Sequence, residues 1–467
     1  MNRVAPAESM QDRDLRAEIA MLRERGLLQT VSREVSVEFE LSAVSKKLAH
    51  GPALLFENVK GFSFPVLVGT MNSMDKISLL LGVEKNEVVH RILWALDHPL
   101  QPRIVEHAPV QEVVLVGHEA DLGKLPIPVH YEKDAGPYIT GGVLIARDPE
   151  TGVQNLSFNR LQVRGAKECS VCMLPRHLWK MYGEAEAAGR PLEVAVTFGL
   201  ETPVRIAAST WGVSMPYEAD ELAFAGALKG SPIELVPCKT IDVLVPARAE
   251  LVIEAEILPG IRKPEGPMME FTGNYGDGWE FPVMRVKAIT HRYGAIYQDM
   301  LVFTPEHHLL LGLSYEGMLW KAVRGVVPDV HAVHITPGGC GKFHAVVSIR
   351  KKHHGDGKDA IIAALTAVRD IKQVIVVDDD VDVFDPVDVE WAVATRFQAD
   401  RDLVVISGAK GNELDPSQAE RGITAKMGID ATKDLNRLER FAKGTVPGVD
   451  SIRPEDYLTD WGGESVG

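Results

Sequence analysis

The sequence predicts a mixed α/β (α+β) chain in three segments, and three observations carry that expectation. Its 467 residues are about three times the roughly 150 of an average domain. Apolar residues make up 45% and charged residues 25%, the composition of a globular enzyme whose core needs no disulfide or zinc staple. The apolar pattern changes twice. Alternating helix and strand give way near residue 110 to short strands and turns, and near residue 305 to strand–helix–strand order.

The first segment is residues 1–109. Residues 12–25 read as an amphipathic helix with Leu15, Ile19 and Leu22 on one face. Residues 53–60 and 64–69 read as strands, 75–81 and 85–95 as helices, and 99–109 as a proline-containing connector. The second segment is residues 110–304. Residues 142–147 and 155–163 read as strands around a turn at 148–152. Residues 192–198, 241–245, 250–257, 284–290 and 295–301 add strands, the last two as a hairpin about Arg292-Tyr293-Gly294. One helix, 175–188, interrupts them. Many strands joined by turns predict a barrel or sandwich. A linker helix, 305–324, leads to the third segment, residues 325–467. There 343–351, 373–377 and 402–407 read as strands and 358–368 and 386–396 as helices, an order that implies parallel pairing. The tail from about Gly408 is poor in apolar residues and reads as mobile or as wrapping a partner subunit.

The charge excludes one class of partner. Fifty basic against 65 acidic residues leave a net charge of −15, and a nucleic-acid surface needs a basic stripe. The one basic cluster of note, residues 350–354, is short. No stretch approaches the roughly 18 consecutive apolar residues of a membrane span. Residues 1–28 are charged and helical in spacing, unlike a signal peptide. Four cysteines in this length read as reduced thiols, and the expected location is the cytoplasm.

Several residues invite chemistry, each beside a plainer reading. Cys169 and Cys172 form a lone C-x-x-C, better read as incidental thiols than as a metal or redox pair. Residues 337–343 are glycine-rich but lack the phosphate-loop pattern, and they read as a turn. Asp378–Asp380 follow a buried strand and suit either a ligand or a solvated turn. Asn155, Ser157 and Asn159 share one face of a strand, and Leu156, Phe158 and Arg160 the other. Arg160 among apolar neighbours asks for an anionic partner, unless that face is solvated. Glu265 and Glu270 lie in a segment broken by Gly266 and Pro267, which aims both carboxylates into one pocket or forms a polar turn. His177 precedes a helix and Glu221 opens an apolar run. With an amide oxygen they suit Mg²⁺ or Mn²⁺, although nothing in their spacing joins them to Asn155.

Taken in order, these segments resemble the UbiD-like decarboxylases, the family that uses prenylated FMN, over roughly residues 18–408. The family's dispersed Glu–Arg–Glu pattern is matched by Arg160 in Asn155-Leu-Ser-Phe-Asn-Arg160, and by Glu265 and Glu270 in Pro264-Glu-Gly-Pro-Met-Met-Glu270. Residues 336–347, 377–383 and 390–396 look like the family's C-terminal part. The resemblance implies a flavin-reductase-like split β-barrel between an N-terminal α/β segment and a C-terminal α/β oligomerisation domain. It implies reversible, non-oxidative decarboxylation of an aromatic, heteroaromatic or α,β-unsaturated acid, with CO₂ as product. A flavin prenyltransferase supplies the cofactor, and the assembly is a homodimer or homohexamer.

The resemblance also implies residue roles. Glu270 is the proton donor, and Arg160 with Glu265 forms the ion pair that positions the substrate. Asn155, His177 and Glu221 hold Mn²⁺ or Mg²⁺ against the cofactor phosphate. Asn155, Leu156, Ser157, Phe158, Asn159 and Arg160 line the flavin with Arg176, His177 and Glu221, and Lys351 meets the phosphate. A potassium site uses Ser209, Glu221 and Arg396. Met269, His307, His308 and Tyr315 are candidate pocket residues. Three positions depart from relatives: Met268-Met269 where Phe-Gly is frequent, Arg176 where fungal relatives have Gln, and Leu156 where they have Trp. Asn155 and Arg160 fall on opposite faces of a regular strand, so both serve one cofactor only if the strand is irregular between them. Two other readings stay open, an ordinary FMN oxidoreductase on the same barrel and an inactive scaffold. The first lacks a dinucleotide fingerprint.

Overall fold

A computed structural model describes residues 13–457, apart from 149, 213–214, 277, 445 and 454–455. Residue 12, the expected start of the first helix, lies outside the described residues. The helix itself is Leu15–Glu24. Asp14 caps it by accepting from the Ala17 N–H, and Leu15, Ile19 and Leu22 are its buried face. It packs on a four-stranded sheet in the order Leu28–Val31, Ala53–Phe56, Val66–Val68 and Tyr297–Gln298.

The last of those strands corrects the expected hairpin about residues 292–294. Tyr297–Gln298 pairs in parallel with Val66 and Leu67 instead. The strand it was expected to join, Trp279–His291, has both edges taken. Leu251–Glu265 lies on one edge, and Glu168–Val171 with Val113–Val116 on the other.

These strands belong to a nine-stranded antiparallel sheet that curls into a half-barrel. Its order is Tyr138–Ile139, Leu161–Val163, Glu168–Val171, Trp279–His291, Leu251–Glu265, Leu192–Phe198, Val143–Arg147 and Gln154–Phe158, with Val113–Val116 beside Trp279–His291. The expected single strand over 155–163 is therefore two strands at opposite ends of one sheet. Asn159 and Arg160 make the step between them. This is the irregularity that the opposite faces of Asn155 and Arg160 required. Helices Thr202–Ser209 and Glu221–Lys229, not marked in the sequence, join the core beside Gln154–Phe158. Every residue of Glu221–Lys229 is buried, so it shows no polar stripe.

The C-terminal sheet runs Val330–Ile335, His344–Ile349, Gln373–Asp378, Ile423–Ala431 and Leu403–Lys410. The expected parallel pairing holds only among the middle three strands, and both outer pairs are antiparallel. The tail after Gly408 supplies an inner strand of this sheet. It looked poor in core residues because the buried positions of Ile423–Ala431 include Thr424, Lys426 and Asp430. The Lys426 ammonium is satisfied by the carbonyls of Leu365 and Arg369 at 2.8 and 3.0 Å. Among the described residues no helix is long and apolar enough to cross a membrane.

The first turn of the linker helix Pro305–Arg324 is tied to the N-terminal segment and to the half-barrel segment. Glu306 accepts from the N–H groups of Gly69 and Met71 at 2.8 and 3.1 Å, and from Arg205 Nη1 at 3.0 Å. Both charged side chains are almost fully buried. Glu306→Ala leaves Arg205 buried without its carboxylate and is expected to destabilise the protein by about 3–5 kcal/mol in chemical denaturation. A second carboxylate, Glu18, is buried against the Thr202 N–H and hydroxyl at 2.8 and 3.0 Å. Burial pushes it from its ordinary 4.5 up to about 8. A folded value above the unfolded one means that its contribution is whole below pH 4.5 and is lost as pH rises to about 8. Glu18→Gln should flatten the fall in stability across that window, where the wild-type slope from this group reaches about 1.4 kcal/mol per pH unit. Denaturant midpoints measured at several pH values check it.

Candidate active site

Arg160 lies where the two ends of the curled sheet meet. Its Nε and Nη2 each donate to Glu265 at 2.9 Å, a two-pronged pairing, and its Nη1 donates to Glu270 Oε1. Glu265 is fully covered, while the Arg160 and Glu270 side chains stay 16% and 15% exposed. The set therefore opens on one side. Burial opposes the Arg160 charge, and the carboxylates outweigh it and hold the guanidinium above its ordinary value. The neighbouring Cys172 thiol is pushed up to about 12 by burial, so it packs on the set as a neutral group near pH 7.

The chain delivers the two carboxylates by different means. Glu265 ends the strand Leu251–Glu265. Gly266, with φ of 94°, then turns the backbone into a small hairpin in which Met268–Met269 pairs with Tyr275–Gly276. Glu270 follows, and its N–H donates to the Asn274 carbonyl at 2.9 Å. Gly276 leaves the space that the acid uses, since a Cβ there would stand 2.8 Å from Glu270 Oε1.

A second cluster lies on the other side of the strand break. Asn155 Nδ2 donates to Glu221 Oε1 at 2.7 Å, while the buried Glu221 Oε2 has no partner among the described residues. Burial pushes the Glu221 carboxyl up to about 8, a state that a bound cation would reverse. His177 opens the helix His177–Ala187 and lies against Tyr217, 5.4 Å between ring centres. Burial and the Arg176 charge hold its imidazole below its ordinary value, hence neutral and able to ligate. Asn155 thus meets Glu221 directly, and His177 stands beside Tyr217. A cavity of about 450 Å³ opens there, lined by Arg176, His177, Tyr217 and Glu218 among others. The Arg176 guanidinium stacks 4.0 Å from the Trp211 ring and has no carboxylate partner among the described residues. No three His, Cys, Asp or Glu side chains converge as a metal site among the described residues. A cation here would use the Asn155 amide oxygen and an outside anion. An orphaned carboxylate oxygen, a neutral imidazole, an amide and an unpaired guanidinium fit a divalent cation bridged to a phosphate ester.

The other expected residues fall as follows. Leu156 and Phe158 pack in or against the core. Ser157 donates to Asn159 Oδ1 at 2.7 Å, and Asn159 Nδ2 donates to the Cys172 carbonyl at 2.9 Å, which braces the strand break. Ser209 is satisfied by the Ile206 carbonyl at 2.8 Å. Two assignments are corrected. Arg396 is paired with Asp378 and Asp380 at 2.9 and 3.0 Å inside the C-terminal domain, and a guanidinium cannot ligate potassium. That pairing also accounts for the acidic run. Lys351 donates to Thr432 at 2.8 Å in the same domain. The lysine that the fold brings towards the acid is Lys342, at the end of the glycine-rich turn. Its ammonium lies 4.4 Å from the Phe271 ring, and burial lowers it to about 8 within the field of Glu270 and Arg176. The turn reading hid it, and the lysine closing that turn was the available signal. His307 Nδ1 accepts from the Phe303 N–H at 3.4 Å, His308 Nε2 meets the Phe271 carbonyl at 2.9 Å, and the buried Tyr315 donates to Asp370 at 2.7 Å.

Sequence models of one family match three consecutive parts of the chain. These are the 3-octaprenyl-4-hydroxybenzoate carboxy-lyase (UbiD) N-terminal domain over residues 19–96, its Rift-related domain over 103–305 and its C-terminal domain over 308–431. An anhydromevalonate phosphate decarboxylase from Methanothermobacter thermautotrophicus is 40% identical over 417 residues, 88% of this chain and 96% of that protein. The UbiD-class enzyme HmfF from Pelotomaculum thermopropionicum, solved with FMN, is 45% identical, covers 96% of this chain and all of its own, and superposes with a TM-score of 0.92. An evolved dimeric form of that enzyme was solved with prFMN. A 3,4-dihydroxybenzoic acid decarboxylase from Enterobacter cloacae is 32% identical, covers 97% of this chain and 100% of its own, and gives a TM-score of 0.90.

The Gly276 contact can be tested directly. Gly276→Ala should drive the Glu270 carboxyl away from Arg160 in a crystal structure, and slow any proton transfer by Glu270 about 10²-fold. The melting temperature should stay near wild type, because the position is partly solvated.

Proposed function

The chain belongs to the UbiD family of carboxy-lyases, and from that premise we propose that it decarboxylates an aromatic, heteroaromatic or α,β-unsaturated acid, reversibly and without oxidation, using prenylated FMN and Glu270 as proton donor. The observation that carries this reading is the trio of Arg160, Glu265 and Glu270, one cation gripped by two carboxylates and open on one side.

The charge count gives the trio its chemistry. One guanidinium and two carboxylates leave one negative charge in excess, so the set becomes neutral on binding one proton. Glu265 uses both oxygens on Arg160, whereas Glu270 uses one. Glu270 is therefore the place for the proton, and its other oxygen can face the substrate carbon. Arg160 keeps enough exposure to meet the substrate carboxylate and aim it. Departure of CO₂ from an sp² carbon leaves an electron pair that no side chain can accept, and prenylated FMN, when bound, supplies that electron sink. Asn155, His177 and Glu221 would hold Mn²⁺ or Mg²⁺ against the cofactor phosphate, with Arg176 and Lys342 adding positive charge. Ser209 and Glu221 are the side chains left for a potassium ion. The reading includes a flavin prenyltransferase as supplier, a cytoplasmic location and a homodimer or homohexamer.

The acid itself is to be found by assay. Relatives named for a phosphorylated acid and for 3,4-dihydroxybenzoic acid define the first panel, with benzoates, furan, pyrrole and indole carboxylates and cinnamates beside them. Protein co-expressed with a flavin prenyltransferase should carry prenylated FMN by mass spectrometry and release CO₂ from a member of the panel. Glu270→Gln should keep the flavin and lose turnover by about 10³-fold or more. Glu221→Gln should lose the flavin absorbance itself. Unmodified FMN with NAD(P)H oxidation would replace this reading with an oxidoreductase.

A further inference from the structure

The hairpin that carries Glu270 is not part of the main sheet, so something else must hold it. The segment 131–135 does so. The Met269 N–H, one residue before the acid, donates to Asp134 Oδ1 at 3.0 Å, and the Tyr131 N–H donates to Asp134 Oδ2 at 3.0 Å. The Ala135 N–H donates to the Pro267 carbonyl at 2.9 Å, and the Lys133 N–H to the Tyr275 hydroxyl at 3.2 Å. Asp134 is the acidic side chain in this set of tethers.

We propose that Asp134 is the positioning residue of the acid hairpin: it clamps the Met269 N–H so that Glu270 stays under Arg160. The inference rests on the decarboxylase reading for its catalytic meaning, while the clamp itself is geometric. The field at Glu270 is set by Arg160 and Glu265 from the strand ends, Cys172 opposite them, and Lys342 from the C-terminal domain. Around Asp134 stand His130, Arg160 and the Tyr138 phenol, with His130 itself paired to Asp299 at 2.9 Å. Burial raises the Asp134 acid value, and two N–H groups with His130 and Arg160 pull against it. Asp134 thus adds a third carboxyl to the field of a single arginine.

Two variants of the full-length holoenzyme test the clamp. Asp134→Ala should speed amide deuterium uptake of a peptide covering residues 266–276 by about fivefold or more, with exchange elsewhere unchanged. Asp134→Asn keeps an oxygen for the Met269 N–H and should restore slow exchange. The kcat should fall about tenfold in Asp134→Ala with KM little changed, and should return towards wild type in Asp134→Asn. Unchanged exchange in Asp134→Ala, or exchange in Asp134→Asn as fast as in Asp134→Ala, overturns the proposal. If the wild-type enzyme decarboxylates no acid, that failure falls on the proposed reaction, and the exchange measurement still decides the clamp.

Discussion

A step of two residues sets the geometry on which the site depends. Asn159 and Arg160 join a strand at one end of the half-barrel to a strand near the other. The three Cα steps from Phe158 to Leu161 reach only about 10 Å, so the sheet must curl until its ends come close. Side-chain and backbone bonds brace the step: Asn159 Nδ2 to the Cys172 carbonyl, and the Cys172 N–H to the Arg160 carbonyl. The guanidinium that emerges there would be costly to leave unpaired, and the end of Leu251–Glu265 with the hairpin after it supplies its two carboxylates. Sheet closure and the assembly of the Arg160 ion set are thus one arrangement.

The C-terminal domain completes the site from outside the half-barrel. Glu306 fixes the first turn of the linker helix to the N-terminal sheet loop and to Arg205, and His308, two residues on, reaches the Phe271 carbonyl beside the acid. The glycine-rich turn then packs on that helix, where Gly341 has no room for a Cβ beside the His308 backbone, and presents Lys342 over Phe271. A short-range turn signal in the sequence therefore ends as a charge placed near the acid by contacts far apart in the chain.

Much of this was legible in the sequence, and the gaps have physical causes. The regular elements followed from periodicity wherever one face was polar. Glu221–Lys229 escaped because it is buried all round, and Ile423–Ala431 because its buried side chains are polar groups satisfied by carbonyls. Periodicity together with the roles that the resemblance implies called for an irregularity between Asn155 and Arg160, and the strand breaks there. The partners of Arg160 came from the Glu–Arg–Glu resemblance rather than from spacing. Lys351 and Arg396 were misplaced because a basic residue near a motif shows neither its direction nor its partner, and both are engaged within the C-terminal domain. Asp134 left no local signal. Its role arises from a hydrogen bond to a backbone N–H 135 residues away.

Exposure separates the functional ion set from structural ones of the same chemistry. Arg205 and Glu306 are 1% and 4% exposed, and the pair ties three parts of the fold together without a free side. Arg160 and Glu270 keep 16% and 15%, although Glu265, the other carboxylate on Arg160, keeps none. A buried ion pair recovers its desolvation cost only when geometry and hydrogen bonds are nearly complete, so an incompletely covered trio is poor value as a stabilising device. Its covered half holds Arg160 through both Glu265 oxygens, and its open half leaves one Glu270 oxygen and part of the guanidinium for something else. That asymmetry, more than the presence of charge, is what the proposed chemistry draws on.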